Sequence, residues 1–239
     1  KEILIIVNEE DYDSYKKLLG NGSRMGIKIT YKIQEKPNGI PEAFTIGKDF
    51  IQNSNVALIL GDNFFYSQGL TETLIQSQKN FNGAKIFCYK VKNPNEFGIA
   101  EIKNKKIISL KEKPNYSKSN LAISGLYFFD KHVSRLALNL KKSKRKETEI
   151  IDLIKSYLKT NKLKYHLLGR GAAWLDTGTP EGIFEAGNFV YNVEKRQGFS
   201  IACIEEIAFI KGWIKKDGIK DAIRFYGKSS YSKYLESLI

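Results

Sequence analysis

Two aspartates that follow apolar segments are the residues of this chain best suited to chemistry on phosphates. Asp62 lies in the segment 60–63 (LGDN), which closes an apolar run, and Asp176 lies in the segment 174–180 (WLDTGTP). Carboxylates at the ends of two strands can share a divalent metal ion, which can hold a polyphosphate in place. Taken singly, Asp62 also fits a turn or a helix cap, and Asp176 fits a helix N-cap. The pair favours an enzyme that handles a phosphorylated substrate.

A second set of polar residues has the chemistry to recognise a sugar phosphate and a base. In Glu112-Lys113-Pro114 the lysine can meet a phosphate as a point charge, and the glutamate can accept hydrogen bonds from sugar hydroxyls. An exposed charge pair before a turn is the plainer alternative. Gln34 ends a predicted strand and offers both a donor and an acceptor to the edge of a base. The turn Pro37-Asn38-Gly39 would bring backbone close to that base.

Other catalytic chemistries lack suitable residues. The two histidines, His132 and His166, neighbour no plausible nucleophile, so Ser-His-Asp and Cys-His catalysis are unsupported. No Cys/His spacing suits zinc, and the sequence contains neither GxxxxGK[ST] nor GxGxxG. The chemistry is therefore expected to rest on carboxylates and basic side chains.

The chain is strongly basic, with 39 Lys and Arg against 26 Asp and Glu and a net charge of +13. The lysines are scattered, which favours solvated lysine faces and anionic phosphate substrates over a continuous nucleic-acid surface. Cys88 and Cys203 each lie singly in apolar surroundings and are predicted to be small core residues. No apolar run approaches the roughly 18 residues that span a bilayer, and no signal-peptide pattern is seen. These features predict a cytoplasmic protein without membrane partners.

Elements that would position these residues follow from hydrophobic periodicity. The first half alternates strands and helices, which predicts a mostly parallel sheet with helices on both faces, and antiparallel strands are expected to be inserted in the middle. Domain boundaries are predicted at 1–197 for the catalytic domain and 198–239 for a C-terminal helical region. Strands are predicted at 3–7, 27–33, 56–60, 84–89, 98–102, 106–110, 123–129 and 164–168, helices at 12–19, 41–51, 70–78, 133–140, 147–158 and 179–195 (capped by Thr177 or Thr179), and two or three short helices in 204–239.

Eight segments in fixed order resemble the glucose-1-phosphate thymidylyltransferase family, the dTDP-glucose pyrophosphorylases, and the likeness covers the whole chain. The resemblance implies a Rossmann-like three-layer α/β/α sandwich with a mixed, mostly parallel sheet and C-terminal helices. It implies that dTTP and glucose 1-phosphate react to give dTDP-glucose and pyrophosphate with Mg²⁺, in dTDP-rhamnose and polysaccharide biosynthesis. The segments are 33–34 (IQ), 60–63 (LGDN), 97–101 (FGIAE), 112–114 (EKP), 125–127 (GLY), 169–171 (GRG), 174–179 (WLDTGT) and 194–198 (EKRQG).

The resemblance also assigns roles to single residues. Asp62 and Asp176 resemble the metal-binding aspartates, with Asp62 also meeting substrate. The remaining matches are Gln34 and Gly39 to the thymine contacts, Gly98, Glu112 and Lys113 to the sugar-phosphate contacts, Arg145 to a further phosphate contact, and Tyr127 and Trp174 to the sugar pocket. Catalysis would then rest on Asp62, Lys113 and Arg145, through positioning and charge neutralisation.

Two features of the family concern the ends of the chain. The family opens with a strand and a glycine-rich loop with an Arg and a Lys that cradles the triphosphate, and this chain, starting at Lys1, shows no such loop. We therefore expect turnover in a chain extended upstream to the native start codon and little dTTP binding by these 239 residues alone. The segment from Ile201 to Trp213 resembles the family's C-terminal region, which implies a homotetramer and a second, regulatory nucleotide site that includes Arg170.

Three alternatives remain open from the sequence. Within the same enzyme class, UTP or CTP could replace dTTP, and the region around Gln34 would decide. A catalytically inactive homologue could act as a binding or regulatory subunit. A basic nucleic-acid binder is the third, although the scattered lysines do not indicate one.

Overall fold

The computed structural model describes residues 1–79 and 81–239, which form two compact units. The large unit is Pro37–Ala186, and the terminal unit combines Lys1–Lys36 with Gly187–Ile239. The boundary predicted after residue 197 stays a prediction. In the part of the chain described, no helix is both long and apolar enough to cross a bilayer.

The described chain begins with alternating strands and helices, continues with consecutive strands in the middle and ends in helices, with two short 3₁₀ helices at Ser23–Met25 and Pro94–Glu96. The strands are β1 Glu2–Val7, β2 Lys28–Ile33, β3 Val56–Ile59, β4 Asn63–Tyr66, β5 Ala84–Lys90, β6 Ile99–Lys103, β7 Lys106–Lys111, β8 Leu121–Phe129, β9 Leu163–Leu167 and β10 Ala173–Asp176. The helices are α1 Glu9–Leu19, α2 Glu42–Ile46, α3 Lys48–Ile51, α4 Leu70–Gln78, α5 Val133–Leu138, α6 Ile150–Lys159, α7 Pro180–Gln197, α8 Ile204–Ile210, α9 Lys216–Tyr226 and α10 Ser230–Glu236.

The predicted α/β fold with a central mixed sheet is confirmed, but its ladders are less parallel than expected. The six-stranded sheet of the large unit has the order β7-β6-β8-β5-β9, and β3 also pairs with β8. The buried central strand β8 runs antiparallel to β3, β5 and β6, whereas β9 pairs parallel with β5. β3 and β5 run in the same direction, as alternating strands and helices predict. They do not pair with each other, however, because β8 lies between them, and the β3–β8 and β5–β8 ladders are both antiparallel.

Helix α6 closes the main core of the large unit. Its buried residues include Ile150, Ile151, Leu153, Ile154 and Tyr157, which recur at the helical period and pack with apolar residues of the sheet. This apolar stripe on one face is what drives an amphipathic helix against a sheet. The Tyr157 hydroxyl donates to the buried Asp130 carboxylate at 3.0 Å, so the polar end of this ring is satisfied.

The strand pair β4 and β10 was not among the predicted elements. It is antiparallel, with Asn63 opposite Asp176 and Phe65 opposite Trp174. Each strand has only four residues, which is too short for a clear alternation, and the partners lie more than a hundred residues apart in sequence. Asp176 is the last residue of β10, and Asp62 directly precedes β4.

The terminal unit consists of a parallel pair and helices. β1 and β2 pair in register from Glu2 opposite Lys28 to Val7 opposite Ile33. Met25, Ile29 and Ala208 form one buried cluster, and a second one forms around Ile219 and Leu235 in the C-terminal helices. The prediction of two or three short helices in the tail is confirmed by α8, α9 and α10.

One predicted element is wrong in its continuity. The helix expected at 41–51 is divided into α2 and α3, because Gly47 has a non-helical backbone between them (φ −84°, ψ 7°). Glycine loses more conformational entropy on entering a helix than any other residue, which favours a break at this position. Pro41, the first residue of the predicted range, is the N-cap of α2.

Candidate active site

The β4–β10 ladder brings the two aspartates together. Asp62 directly precedes β4, and Asp176 is the last residue of β10. The backbone N–H and the hydroxyl of Thr177 donate to the Asp62 carbonyl at 2.7 and 2.9 Å. The two backbone segments are therefore held side by side immediately next to both carboxylates.

The side chains of the two aspartates face the space above Gly178. A Cβ atom at Gly178 would lie 3.1 Å from Asp176 Oδ1 and 3.4 Å from Asp62 Oδ2. Both carboxylate oxygens therefore lie within 3.4 Å of one point, the Cβ position of residue 178. Within residues 1–79 and 81–239, neither carboxylate forms an ion pair with a basic side chain. We call Asp62, Asp176 and Gly178 the aspartate site.

The aspartate site suits a hard divalent cation that keeps water or phosphate as its other ligands. Magnesium is usually bound by one or two carboxylates together with substrate phosphates, rather than by an all-protein cage. In the described residues no group of three or more His, Cys, Asp or Glu side chains could hold a metal ion. The donor set present, two carboxylates around a gap left by a glycine, fits magnesium.

Asp176 forms a local hydrogen bond that differs from that of a helix N-cap. Asp176 Oδ1 accepts from the backbone N–H of Gly178 at 2.9 Å, which is a tight turn two residues long. Helix α7 is instead capped by Thr179, whose hydroxyl accepts from the N–H of Gly182 at 3.1 Å. The predicted cap by Thr177 or Thr179 is confirmed for Thr179, and the alternative of Asp176 as an N-cap is wrong.

Asn63 organises this site, and sequence reasoning gave it no role. Its Nδ2 donates to Asp62 Oδ1 at 2.7 Å, while its Oδ1 accepts from Gly125 N at 3.0 Å and from Trp174 Nε1 at 2.6 Å. A Cβ at Gly125 would lie 2.5 Å from Asn63 Cγ, so only glycine fits there. The signal was present as the amide that directly follows Asp62, but its partners are remote in sequence.

Trp174, predicted to line a sugar pocket, is 8% exposed. Its ring packs against Phe97 with centroids 5.1 Å apart and against Tyr89 edge-to-face at 5.9 Å. Its indole N–H donates a hydrogen bond to Asn63 Oδ1. Trp174 is therefore a buried residue that is linked to Asp62 through Asn63, and its contact with a sugar stays a prediction.

Glu112 and Gly98 lie together in the large unit. A Cβ at Gly98 would meet Ile151 Cδ1 at 2.9 Å and Glu112 Oε2 at 3.3 Å, so a glycine is needed for Glu112 to sit there. Burial raises the pKa of the Glu112 carboxyl, and the negative charge of Glu149 raises it further, against the opposing charges of Arg145 and Lys113. These charges place Glu112 in a common cluster with the three other residues.

Lys113 has a backbone conformation that L-residues rarely adopt. Its φ is +37°, and its N–H donates to the Phe97 carbonyl at 3.1 Å, which fixes the chain just after β7. Pro114 follows and restricts the conformation of Lys113 further. A positive φ also occurs at the exposed Lys105 and Lys146, so the conformation sets the path of the chain after β7 and does not by itself assign Lys113 a role.

Arg145 is paired with Glu149. Its Nε donates to Glu149 Oε1 at 3.1 Å and its Nη2 to Oε2 at 2.6 Å, and the Ser143 hydroxyl donates to Oε1 at 2.7 Å. The guanidinium and the Ser143 hydroxyl hold the pKa of Glu149 below its ordinary value. Nη1 of Arg145 does not take part in this bidentate contact, so the side chain is oriented and still carries a donor for a phosphate.

Tyr127 is a buried residue of β8 that is influenced by charges of both acidic regions. It is 4% exposed and stacks on Phe129 with centroids 6.1 Å apart. Burial raises the pKa of its hydroxyl, and the charges of both Glu112 and Asp62 raise it further, so the hydroxyl remains protonated as a donor. The predicted residues Asp62, Glu112 and Tyr127 are therefore brought into one region of the large unit.

The two residues predicted at the base lie in different units. Gln34 belongs to the terminal unit, where its N–H continues the β1–β2 ladder by donating to the Val7 carbonyl at 2.8 Å. Gly39 belongs to the large unit and has φ +107°, a conformation that favours glycine. Arg170 follows β9 in a turn, also in the large unit. The ligand roles of all three stay predictions.

Comparisons with known proteins agree with this geometry. The family model described as Nucleotidyl transferase matches residues 1–193. The solved structure described as a "Putative Glucose-1-Phosphate Thymidylyltransferase" from Bacillus anthracis in complex with a sucrose superposes with a TM-score of 0.70. The two sequences are 34% identical, and the match covers 78% of this chain and 74% of the Bacillus anthracis chain. An apo UDP-glucose pyrophosphorylase shares the fold at a TM-score of 0.65 and 19% identity.

Curated relatives match the whole chain. The glucose-1-phosphate thymidylyltransferase of Neisseria meningitidis serogroup A is 46% identical over 240 residues, which is all of this chain and 83% of the relative. The enzymes of the same name from Xanthomonas campestris and Mycobacterium tuberculosis are 41% and 40% identical, again over the whole chain and 81% and 83% of the relatives. The chain therefore belongs to the nucleotidyltransferase family and, within it, to the glucose-1-phosphate thymidylyltransferases.

Proposed function

We propose that this protein transfers a thymidylyl group from dTTP to glucose 1-phosphate and releases pyrophosphate. The observation that carries the proposal is the convergence of Asp62 and Asp176 at Gly178, in the same unit as a cluster of Glu112, Lys113, Arg145 and Glu149. The names of the relatives, at 40–46% identity over the full chain, supply the substrate pair.

In the proposed reaction a phosphate oxygen of glucose 1-phosphate attacks the α-phosphorus of dTTP. A new P–O bond forms as the bond from the α-phosphorus to its bridging oxygen breaks, and the electron pair of that bond leaves with pyrophosphate. No covalent enzyme intermediate is required, so the protein contributes positioning and charge. Lys113 and Arg145 neutralise phosphate charge, and the Glu112 carboxylate accepts hydrogen bonds from sugar hydroxyls.

We further propose that Asp62 and Asp176 hold a magnesium ion. When bound, the ion supplies positive charge to the phosphates, as metal ions generally do in phosphoryl transfer. The support is the chemistry of the donor set, two carboxylates facing a gap with no ion-paired base in the described residues. Gln34 and Gly39 are proposed to meet the base, with Gly98, Tyr127 and Trp174 around the sugar.

The first experiment measures pyrophosphate release from dTTP and glucose 1-phosphate with Mg²⁺. UTP and CTP replace dTTP in parallel arms. We expect the highest kcat/KM with dTTP. Preference for UTP or CTP would change the nucleotide assignment, and absence of turnover with all three would favour the inactive homologue.

The cellular setting is also a proposal. We propose that the product enters dTDP-rhamnose or related deoxysugar synthesis in the cytoplasm, and that the protein is a homotetramer with a regulatory nucleotide site. The unpaired, buried state of Cys88 and Cys203 supports a reducing compartment. Light scattering of the purified protein tests the tetramer, since a monomer mass near 27.3 kDa would contradict it.

A further inference from the structure

The turn Pro37-Asn38-Gly39, which is proposed to meet the base, is hydrogen-bonded to the loop 139–149 between α5 and α6. We call these three residues the base-side turn. The carbonyl of Asn38 accepts from both the N–H and the hydroxyl of Thr148, at 2.8 and 3.1 Å. Its side-chain oxygen accepts from Lys142 Nζ at 2.8 Å, and its amide donates to Glu42 at 2.9 Å. Asn38 therefore has contacts with two points of the loop, more than a hundred residues away in sequence.

The backbones of Gly39 and Thr148 are in close contact. A Cβ on Gly39 would collide with the Thr148 carbonyl and would lie 2.9 Å from the Thr148 N–H nitrogen. The backbone of Gly39 thus rests directly on Thr148. A shift of either backbone is transmitted to the other, because close-packed groups cannot move independently.

The same loop holds the arginine proposed to meet the sugar phosphate. Thr148 directly precedes Glu149, which orients Arg145 through the bidentate pair. The loop is internally braced: Ser143 N donates to the Glu147 carbonyl at 2.7 Å, and Lys146 N donates to the Ser143 carbonyl at 2.9 Å. The position of Arg145 therefore depends on the anchoring of Thr148.

We propose that Thr148 is a positioning residue shared by both substrates: through Asn38 it fixes the base-side turn, and through Glu149 it fixes Arg145. This inference rests on the proposed function and adds a residue that contacts neither substrate. Because one anchor serves both sides, its loss weakens the apparent binding of dTTP and of glucose 1-phosphate together. A residue that contacts one substrate alone would change one KM.

The test replaces Thr148 by valine, which keeps the shape and the backbone N–H bond and removes the hydroxyl bond to Asn38. T148V should raise the KM for both dTTP and glucose 1-phosphate, each by about fivefold, the scale of one neutral hydrogen bond. T148S, which restores the hydroxyl, should return both KM values to within about twofold of the original. K142M, which removes the second anchor of Asn38, should raise both KM values in the same direction.

The matched control is T160V in the same unit. The Thr160 hydroxyl also donates to backbone carbonyls, those of Tyr157 at 3.1 Å and Ser156 at 3.4 Å, and T160V should leave both KM values unchanged. A rise in only one KM, or in neither, for T148V and K142M would overturn the shared role while leaving the proposed reaction intact. Lack of turnover by the unsubstituted protein with any nucleotide would overturn both proposals. If T148V does not fold, K142M decides, since Lys142 is exposed.

Discussion

The two charged regions of the large unit differ in how their charges are balanced. At the aspartate site, Asp62 and Asp176 face a common gap and neither is ion-paired within the described residues. In the mixed-charge cluster of Glu112, Lys113, Arg145 and Glu149, two acids and two bases influence one another. One region has uncompensated charge, and the other is compensated from within.

This difference indicates what each region takes from solution. Like charges that face each other disfavour one another until a cation binds, so the aspartate site is suited to a metal ion. The mixed-charge cluster needs no counter-ion, and its bidentate pair already fixes the arginine. A phosphate that enters there meets an oriented cation rather than a mobile one, at little cost in side-chain entropy.

The largest expected effect comes from removing one charge at the aspartate site. D176N keeps the acceptor for the Gly178 N–H, yet weakens the metal site, so kcat should fall by about 10³-fold at fixed Mg²⁺. Because the substitution also relieves like-charge repulsion, the melting temperature should stay equal or rise. Steady-state pyrophosphate release and thermal unfolding check both. D217N, at an exposed aspartate of the terminal unit, is the control, and near-normal kcat in D176N would break the proposed metal role.

The next effect belongs to the mixed-charge cluster. K113M removes one of its two cations without shortening the side chain, and kcat/KM should fall by about 10²-fold, the scale of a lost electrostatic contact to a transition state. K111M, two residues earlier at the end of β7, should have little effect. Equal losses in the two variants would show that general positive charge, rather than the position of Lys113, matters.

A loss of stability, rather than of charge, is expected at Asn63. N63A leaves the Gly125 N–H and the Trp174 indole N–H without their acceptor, in a half-buried place, at a cost of about 2–3 kcal/mol in the free energy of unfolding. Urea unfolding measures it. N93A removes a single exposed hydrogen bond to Glu96 and should change the free energy of unfolding far less. Similar values for the two would contradict the network assigned to Asn63.

The comparison also shows what a sequence can predict about such sites. Asp62, Asp176 and Glu112-Lys113 were singled out because their residue types and local patterns carry the chemistry. The helix Leu70–Gln78 and the buried strands were predicted because periodicity is local information. These are properties that a short window of residues contains.

The partners of these residues could not be predicted, because they are set by pairing between distant segments. Asn63 acquires its role only when β4 meets β10 and when Gly125 approaches it. Glu149 looks like an ordinary charge in a lysine-rich stretch until the loop folds Arg145 onto it. The antiparallel ladders of β8 likewise depend on tertiary pairing, which often overrides local pattern.

A smaller effect would sharpen the metal assignment. G178A places a methyl group 3.1 and 3.4 Å from the two carboxylate oxygens, where a cation or its water would lie, and its backbone needs no positive φ. The Mg²⁺ concentration for half-maximal rate should rise about tenfold, while kcat at saturating Mg²⁺ falls less, since both carboxylates remain. G171A, with open space around it, is the matched control. An unchanged Mg²⁺ dependence in G178A would place the metal elsewhere.

The smallest effect is a shift in pH dependence, and it separates the two glutamates of the mixed-charge cluster. Burial and the charge of Glu149 raise the pKa of Glu112, so rate that needs its carboxylate is lost as pH falls through a pKa above that of an ordinary glutamate. E112Q should abolish this acid limb of kcat/KM. E149Q removes a neighbouring negative charge and should move the limb to lower pH. Glu149 itself has a lowered pKa, so its pairing with Arg145 stabilises the fold above the unfolded-state pKa and is lost as pH falls through the folded-state pKa. A limb that stays in place in both variants would mean that Glu112 does not act as a carboxylate on the sugar.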